Sequence, residues 1–173
     1  MKIGIYFGCF IPLHKGHWAI IQKAKKENDH IILGVCGYKN DRGENFIPFC
    51  DRIKLIKELF KNDKNTTISV VDDHKIGLTG TFSLEAWKIW SNELFNNSGF
   101  NPYDMSHQYT WYSGESSYIE KIKTIFPEHK FSLVERNKIP ISGTAIRNNP
   151  KKYKEDISPL FVKYLNKGDR YIC

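Results

Sequence analysis

Two histidines three residues apart follow a glycine bend in the segment GCFIPLHKGH at residues 8–17. The apolar residues before this segment predict a strand, and a helix is predicted to start within it. Backbone amides at a glycine bend and at a helix N-terminus lack partners and carry the positive end of the helix dipole, which favours phosphate binding. We therefore expect unpaired amides to hold a phosphate group, with His14 and His17 on one side of the first helical turn and directed at it.

Other chemistry explains this segment less well. Cys9, His14 and His17 are metal-ligand types, but a structural zinc site needs a fourth ligand, and no GxGxxG cofactor pattern is present. The four cysteines are irregularly spaced without a CxxC pair, which predicts neither a zinc site nor a disulfide framework. His17 alone is compatible with a core histidine, whereas His17 with His14 and the glycines indicates a ligand site. No metal ligand is assigned.

A second candidate phosphate site is the segment ISGTAIR at residues 141–147. Ser142 or Thr144 is expected to cap the helix that follows, leaving amides near Gly143 for a ligand. Arg147 lies one turn further on, and its planar guanidinium suits phosphate oxygens. Taken alone, this segment also fits an ordinary capped helix with a surface arginine.

Apolar runs typical of strands alternate with helical patterns along the chain. Strands are predicted at 2–8, 30–36, 67–71, 109–114 and 131–135. Helices are predicted at 17–26, 49–60, from about 83 through 94, at 117–126, within 141–150, and after Pro159. The alternation predicts one α/β domain over residues 1–173, a Rossmann-like doubly wound parallel sheet of five strands flanked by helices, with a C-terminal helical segment. Ligands of such folds bind at the carboxyl ends of strands, where residues 8–17 are expected.

The composition restricts the partners. The 173 residues carry a net charge of +7, but the lysines are scattered, so no nucleic-acid surface is predicted. No apolar run approaches the roughly 20 residues that span a bilayer, and the N-terminal apolar stretch is too short for a secretory signal. We expect a soluble cytoplasmic protein with no nucleic-acid or membrane partner.

The two phosphate motifs together resemble the nucleotidylyltransferase superfamily. GxFxPxHxGH at 8–17 and SGTxIR at 142–147 are accompanied, in order and spacing, by FIPFCDRIKLI at 46–56, WKIWSNEL at 87–94 and YSGE at 112–115. Within the superfamily, the chain is similar to nicotinamide mononucleotide adenylyltransferases of the archaeal type and to the adenylyltransferase domain of NadR-type proteins. The resemblance covers nearly the whole chain.

The resemblance implies transfer of AMP from Mg-ATP to the 5′-phosphate of nicotinamide mononucleotide, with NAD and pyrophosphate as products. The attacking phosphate is already ionised, so alignment and charge neutralisation suffice, and Mg²⁺ is expected with ATP. The catalytic residues implied in this way are His14, His17 and Arg147. The implied ATP-binding residues are Phe7, Gly8, Cys9, Phe10, His14, Lys15, His17, Ser113, Ser142, Gly143, Thr144 and Arg147.

Three further residues are implied to bind the mononucleotide. Arg52 would contact its phosphate, and Trp87 and Trp90, on one helix face, would stack on the cationic pyridine ring. A surface arginine and two core tryptophans are the alternatives for these residues. Ser113 and Gly114 would offer backbone contacts to adenine.

Cys9 departs from the family pattern, because many relatives carry Arg or Lys directly after the first motif glycine. A thiol is neutral at pH 7 unless activated, so one phosphate contact is missing. Lys15 is a candidate substitute.

Several functions fit the same phosphate motifs. Phosphopantetheine, FMN, nicotinate mononucleotide and a polyol phosphate are alternative acceptors, and a nucleotide-sensing regulator without turnover is an alternative of another class. The tryptophan pair favours a pyridine nucleotide. The sequence leaves open the preference for the amide or the acid and the oligomeric state, a homo-oligomer included.

Overall fold

The structure is a computed structural model that describes residues 1–37, 47–77, 83–135 and 141–167. Phe46, which begins one segment quoted above, and Cys173 lie outside the described residues. The strands are β1 (Lys2–Gly8), β2 (His30–Val35), β3 (Thr66–Val70), β4 (Gln108–Ser113) and β5 (Lys130–Leu133). The helices are α1 (Lys15–Glu27), α2 (Phe49–Phe60), α3 (Leu84–Ser98), α4 (Ser116–Ile125), α5 (Gly143–Asn148) and α6 (Pro159–Lys167), with a short 3-10 helix at Lys154–Asp156.

The described strands form one parallel sheet in the order β3-β2-β1-β4-β5. The central strand β1 pairs Gly8 with Val35 of β2 and Tyr6 with Tyr112 of β4. The strand order reverses between β1 and β4, and parallel sheets bind ligands beyond the carboxyl ends of the strands at such a reversal. The β1–α1 loop, residues 9–14, begins at this point, so the sheet places the first motif where the sequence predicts it.

Helices cover both faces of the sheet, which explains why the strands are apolar on both sides. Apolar residues of α1, α2, α5 and α6 share one core cluster, and those of α3 and α4 share the other. Successive residues of β1 point to opposite faces: Ile5 belongs to the α3 cluster and Tyr6 to the α1 cluster. The predicted fold class is confirmed.

The predicted strands and most predicted helices are confirmed to within one or two residues. Helix α3 differs most, because it continues past Leu94 to Ser98 and ends at Gly99, whose φ of 76° is left-handed. Over the ranges given above, no helix has both the length and the apolar character that crossing a bilayer requires.

Leu94 tests how far the α3 face depends on close packing. Its side chain is fully buried, and its Cδ1 lies 2.7 Å from the Cβ position that Gly34 lacks. We expect Leu94→Ala to lower the free energy of unfolding by about 2–5 kcal/mol, because the truncation leaves a cavity against the sheet. Urea denaturation followed by circular dichroism measures this change.

Ile89 on the same helix supplies the control, because 42% of its surface is exposed. Ile89→Ala should change the free energy of unfolding by less than about 1 kcal/mol. Equal losses from the two variants would contradict the orientation of α3 against the sheet.

Candidate active site

A cleft of about 270 Å³ opens beyond the carboxyl end of β1. It brings together His14 and His17, at the start of α1, with Arg147 of α5. The other predicted ATP-binding residues that line it are Cys9, Phe10, Ser142, Gly143 and Thr144. The two motifs, far apart in the sequence, therefore form one site.

The two histidine side chains cap the helix that carries them. His14 is the N-cap residue of α1, and its Nδ1 accepts a hydrogen bond from the amide of Gly16 at 3.1 Å. In return, the amide of His14 donates to Nδ1 of His17 at 3.3 Å. The ring centres lie 3.8 Å apart with the planes tilted by 31°. Each imidazole is thus held by a backbone amide.

These contacts correct the expectation that the amides at this helix start are unpaired. The amides of His14 and Gly16 donate hydrogen bonds to imidazole nitrogens and are therefore unavailable to a phosphate. The positive end of the helix dipole still lies beneath the rings. An anion bound here therefore contacts the imidazole side chains and not these two amides.

The capping bonds assign the tautomer of both rings. A ring nitrogen that accepts a hydrogen bond carries a lone pair, so Nδ1 is unprotonated in His14 and His17. The proton of each neutral imidazole, assigned from these bonds, is then on Nε2. Each ring supplies an Nε2–H donor, and such preorganised donors stabilise anionic oxygens.

The β1–α1 loop packs closely around the rings. Phe10 has a φ of 50°, which is left-handed and uncommon for a residue other than glycine. Its buried ring meets the His17 ring edge-on, with 5.1 Å between centres. A Cβ on Gly8 would lie 3.2 Å from the Phe10 ring, and one on Gly16 would lie 2.9 Å from Cε1 of His14. A side chain at position 16 would therefore displace the His14 ring, whereas one at position 8 would require the Phe10 ring to shift by a few tenths of an ångström.

Helix α5 carries the guanidinium to the loop. Of the two predicted capping residues, Ser142 is the cap, because its Oγ accepts from the amide of Ala145 at 3.1 Å. Nη1 of Arg147 donates to the carbonyl of Ile11 at 2.9 Å, and Nη2 donates to Oγ1 of Thr144 at 3.1 Å. These contacts orient the half-buried guanidinium along the cleft wall.

Four predicted ATP-binding residues lie outside the lining of the cleft: Phe7, Gly8, Lys15 and Ser113. Phe7 and Gly8 end β1 directly before the loop. Lys15 is exposed, and its Nζ lies 3.1 Å from Oδ1 of Asp156. Ser113 is buried at the end of β4, where its carbonyl accepts from the amide of Val134 and its hydroxyl bonds to Glu115. In this conformation Lys15 is paired with Asp156, and its replacement of the charge that Cys9 lacks stays a prediction.

Arg52 lies inside the protein. Its guanidinium is fully buried and donates to the carbonyl oxygens of Ile47, Cys9, Cys36 and Gly37. It therefore joins the chain segments that follow β1 and β2. These contacts give Arg52 a structural role in this conformation, and its contact with the mononucleotide phosphate stays a prediction.

Trp87 and Trp90 lie in the core between α3 and the sheet. They are 4% and 1% exposed, and the ring of Phe7 packs against both, with centres 5.8 and 4.8 Å away. Neither indole has an open face for a ligand in this conformation. In this conformation both tryptophans pack as the core alternative describes, and their stacking on the mononucleotide stays a prediction. Phe7 packs against both rings and does not itself line the cleft.

Sequence reasoning missed Tyr118, which extends this aromatic group to the surface. Its ring is 41% exposed and lies 5.9 Å from Phe7 and 5.3 Å from Trp87. It belongs to the first turn of α4, directly after the segment YSGE, and β4 adjoins β1 at the reversal of the sheet. The signal in the sequence was an aromatic residue at the start of the helix that follows β4, the strand next to β1 at the reversal.

The described cleft lining carries one cation, Arg147, and one carboxylate, Glu135, so its formal charges balance. Within the described ranges, no three His, Cys, Asp or Glu side chains are grouped to hold a metal ion. The features that suit an anionic ligand are the Arg147 guanidinium, the imidazole donors and the N-terminal end of the α1 dipole.

Asp73 fixes the end of β2 behind the cleft. Its Oδ2 accepts from the amide of Gly37 at 3.0 Å, and the carboxyl also accepts a hydrogen bond from the Trp90 side chain. Burial raises the pKa of this carboxyl, despite the hydrogen bonds from Gly37 and Trp90.

Comparison with known proteins identifies relatives along the whole chain. Residues 5–149 match the family model described as cytidylyltransferase-like. The chain is 30% identical to a probable nicotinate-nucleotide adenylyltransferase of Fusobacterium nucleatum, over 96% of each protein. It is 31% identical to the trifunctional NAD biosynthesis/regulator protein NadR of Salmonella typhimurium, over 94% of this chain and 41% of NadR. A crystal structure of NadR in complex with NR superposes with a TM-score of 0.76 at 32% identity, covering 92% of this chain and 44% of that one.

The sheet, its flanking helices and the cleft at the strand reversal define a Rossmann-like α/β protein. The chain belongs to the cytidylyltransferase-like family of nucleotidyltransferases, which confirms the resemblance predicted from the two motifs. It spans less than half of NadR, so only the matching part of that protein bears on it.

Arg52→Met tests the structural role of the buried guanidinium. The variant leaves four carbonyl oxygens, in two buried and two part-buried contacts, without their charged donor. We expect the free energy of unfolding to fall by about 3–5 kcal/mol, measured by urea denaturation.

Arg147→Met is the matched comparison, because this guanidinium is only half-buried and should cost less stability. If Arg52 were instead a surface residue that only binds phosphate, its replacement by Met would change the free energy of unfolding little. If Arg52→Met left stability within about 0.5 kcal/mol of the parent, the structural assignment would be wrong.

Proposed function

We propose that this chain transfers AMP from Mg-ATP to the 5′-phosphate of nicotinamide mononucleotide, forming NAD and pyrophosphate. The observation that carries the proposal is the single cleft shared by His14, His17 and Arg147. The names of the relatives support adenylyl transfer in NAD biosynthesis. A solved NadR structure at 31% identity contains NAD and AMP-PNP, the product and an ATP analogue of this reaction.

The reaction needs alignment and charge stabilisation. An oxygen of the mononucleotide phosphate attacks the α-phosphorus of ATP, and the bond from that phosphorus to the oxygen bridging the β-phosphate breaks. The nucleophile is already ionised at neutral pH, so no general base is required. Neutral imidazoles are therefore sufficient, because they act here as donors and transfer no proton.

Different residues of the cleft contact different phosphates of ATP in this proposal. The Nε2–H groups of His14 and His17 donate to oxygens of the triphosphate as charge develops on the transferring phosphoryl group. Arg147, with Ser142 and Thr144 beside it, holds the β- and γ-phosphates that leave as pyrophosphate. Mg²⁺ enters as part of the substrate Mg-ATP and neutralises phosphate charge.

The mononucleotide is assigned to the aromatic group beside the cleft. Phe7, Trp87 and Trp90 form its buried base, and Tyr118 supplies the exposed ring. A cationic pyridine ring against an aromatic face gains about 0.5–2 kcal/mol. In this assignment, Tyr118 takes the stacking role that was predicted for the tryptophans.

Nicotinate mononucleotide is the second candidate acceptor. The Fusobacterium nucleatum relative, matched over its whole length, is named for the nicotinate nucleotide. A panel that compares both mononucleotides, phosphopantetheine and FMN with ATP decides between them. We expect the highest kcat/KM with nicotinamide mononucleotide. A higher value with the nicotinate form would transfer the proposal to the acid, and turnover of phosphopantetheine or FMN alone would overturn it.

His17→Asn and His17→Ala together test the donor role of the imidazole. An asparagine side-chain oxygen can accept from the His14 amide in place of Nδ1, but it offers no donor where Nε2 lies. We expect both variants to lose roughly 10²–10³-fold in kcat, measured by pyrophosphate release. Only His17→Ala should also lose the capping bond, which contributes about 1 kcal/mol to the free energy of unfolding.

The asparagine variant separates chemistry from folding. Near-normal turnover in a folded His17→Asn protein would contradict catalysis by the Nε2–H donor.

Tyr118→Ala tests the mononucleotide assignment. Removing the exposed ring should raise the KM for the mononucleotide by up to roughly tenfold, since stacking contributes about 1 kcal/mol. The KM for ATP should change much less. Tyr118→Phe retains the ring and serves as the control, so it should behave like the parent. A parallel rise in both KM values would place Tyr118 outside the mononucleotide site.

A further inference from the structure

Cys9 and Cys36 lie side by side where β1 and β2 end. The strands pair in parallel up to Gly8 and Val35, and the amide of Cys36 donates to the carbonyl of Gly8 at 3.2 Å. Neighbouring strands are about 4.8 Å apart, which lies within the range of roughly 4.4–6.8 Å between Cα atoms that a disulfide spans. Cys9 and Cys36 are the residues that directly follow these paired strand ends.

The side chains also approach each other. A hydrogen bond links the Cys9 and Cys36 side chains, and this bond together with burial raises the pKa of Cys36 well above its usual value. The Cys9 sulfur lies only 2.3 Å from the Cβ position that Gly37 lacks, so it is directed toward the chain that follows β2. Neither cysteine is in a disulfide.

The backbone around the pair is held in place. Nη1 of Arg52 donates to the carbonyls of both Cys9 and Cys36, at 2.6 and 2.9 Å. Disulfide formation between them would therefore require little backbone movement. Access is unequal, because Cys9 lines the cleft whereas Cys36 is 9% exposed.

We propose that Cys9 and Cys36 form a reversible dithiol–disulfide pair in the wall of the nucleotide cleft, which reacts with small-molecule disulfides such as oxidised glutathione. The thiol chemistry goes beyond the adenylyl transfer proposed above and does not depend on it, whereas its protective effect on triphosphate binding rests on that proposed function.

The exchange takes two steps. The Cys9 thiolate attacks one sulfur of the small disulfide, whose S–S bond breaks, and the first released thiolate takes up the proton that Cys9 lost. The Cys36 sulfur then attacks the Cys9 sulfur of this mixed disulfide, and the second small thiol leaves with the Cys36 proton. Two protein thiols are oxidised to one disulfide, and one small disulfide is reduced to two thiols.

The second step protects the cleft. A glutathione moiety on Cys9 would occupy space that the triphosphate needs, because Cys9 lines a cleft of only about 270 Å³. Attack by Cys36 removes glutathione from Cys9 and leaves the smaller Cys9–Cys36 disulfide. The buried cysteine therefore acts as the resolving thiol for the accessible one.

The test treats the full-length reduced protein with oxidised glutathione and maps its cysteines by mass spectrometry of proteolytic peptides. For the parent protein we expect a linked peptide joining Cys9 to Cys36, reversed by dithiothreitol. For Cys36→Ala we expect glutathione to remain on Cys9. Cys9→Ala should give neither product at these two positions.

Peptide mapping reports the chemistry whether or not the chain makes NAD. Stable glutathione on Cys9 of the parent protein would overturn the proposal, and so would failure to form the linked peptide. Cys36→Val is a second variant should Cys36→Ala fold poorly, and it too should retain the adduct. Adenylyl transfer after oxidation adds a functional measure, with most activity lost in Cys36→Ala and retained in the parent.

Discussion

The reciprocal capping of His14 and His17 is the interaction on which the site depends. Nδ1 of each ring accepts a hydrogen bond from a backbone amide. This bond caps the start of helix α1 and leaves the ring proton on Nε2. The arrangement excludes a side chain at Gly16, whose Cβ would lie 2.9 Å from the His14 ring. Local folding uses Nδ1 and the proposed chemistry uses Nε2 of the same two rings. In the proposed reaction, the dipole of α1 and the donors of both rings act on a phosphate from the same end of the helix.

The remaining elements bring a distant cation to these donors. The reversal of strand order opens the cleft, and α5 enters it from a segment more than a hundred residues further along the chain. Arg147 is fixed by the carbonyl of Ile11, inside the β1–α1 loop itself. The chain after α5 returns to the same loop, where Ile157 bridges His14 and the amide of Ser158 donates to Leu13. Loop, helix and guanidinium are consequently positioned by one network of short contacts.

Much of the fold and half of the site could be predicted from the sequence. Apolar periodicity located the strands, and the glycine, histidine and arginine motifs carried the family resemblance, because both are local patterns. What local patterns do not show is which partners the fold brings to a residue. Arg52 looks like a surface residue at a helix start, yet four carbonyls surround it. Trp87 and Trp90 share a helix face, but only the packed sheet shows that this face points to the core. The pairing of Lys15 with Asp156 likewise joins residues far apart in sequence.

A crystal structure with a non-hydrolysable ATP analogue and Mg²⁺ would show whether both imidazoles and the distant guanidinium contact one triphosphate. We expect Nε2 of both His14 and His17 and the guanidinium of Arg147 to lie within about 2.7–3.2 Å of its oxygens. A triphosphate bound elsewhere, or contacted by the guanidinium while both imidazoles keep away from it, would contradict this expectation.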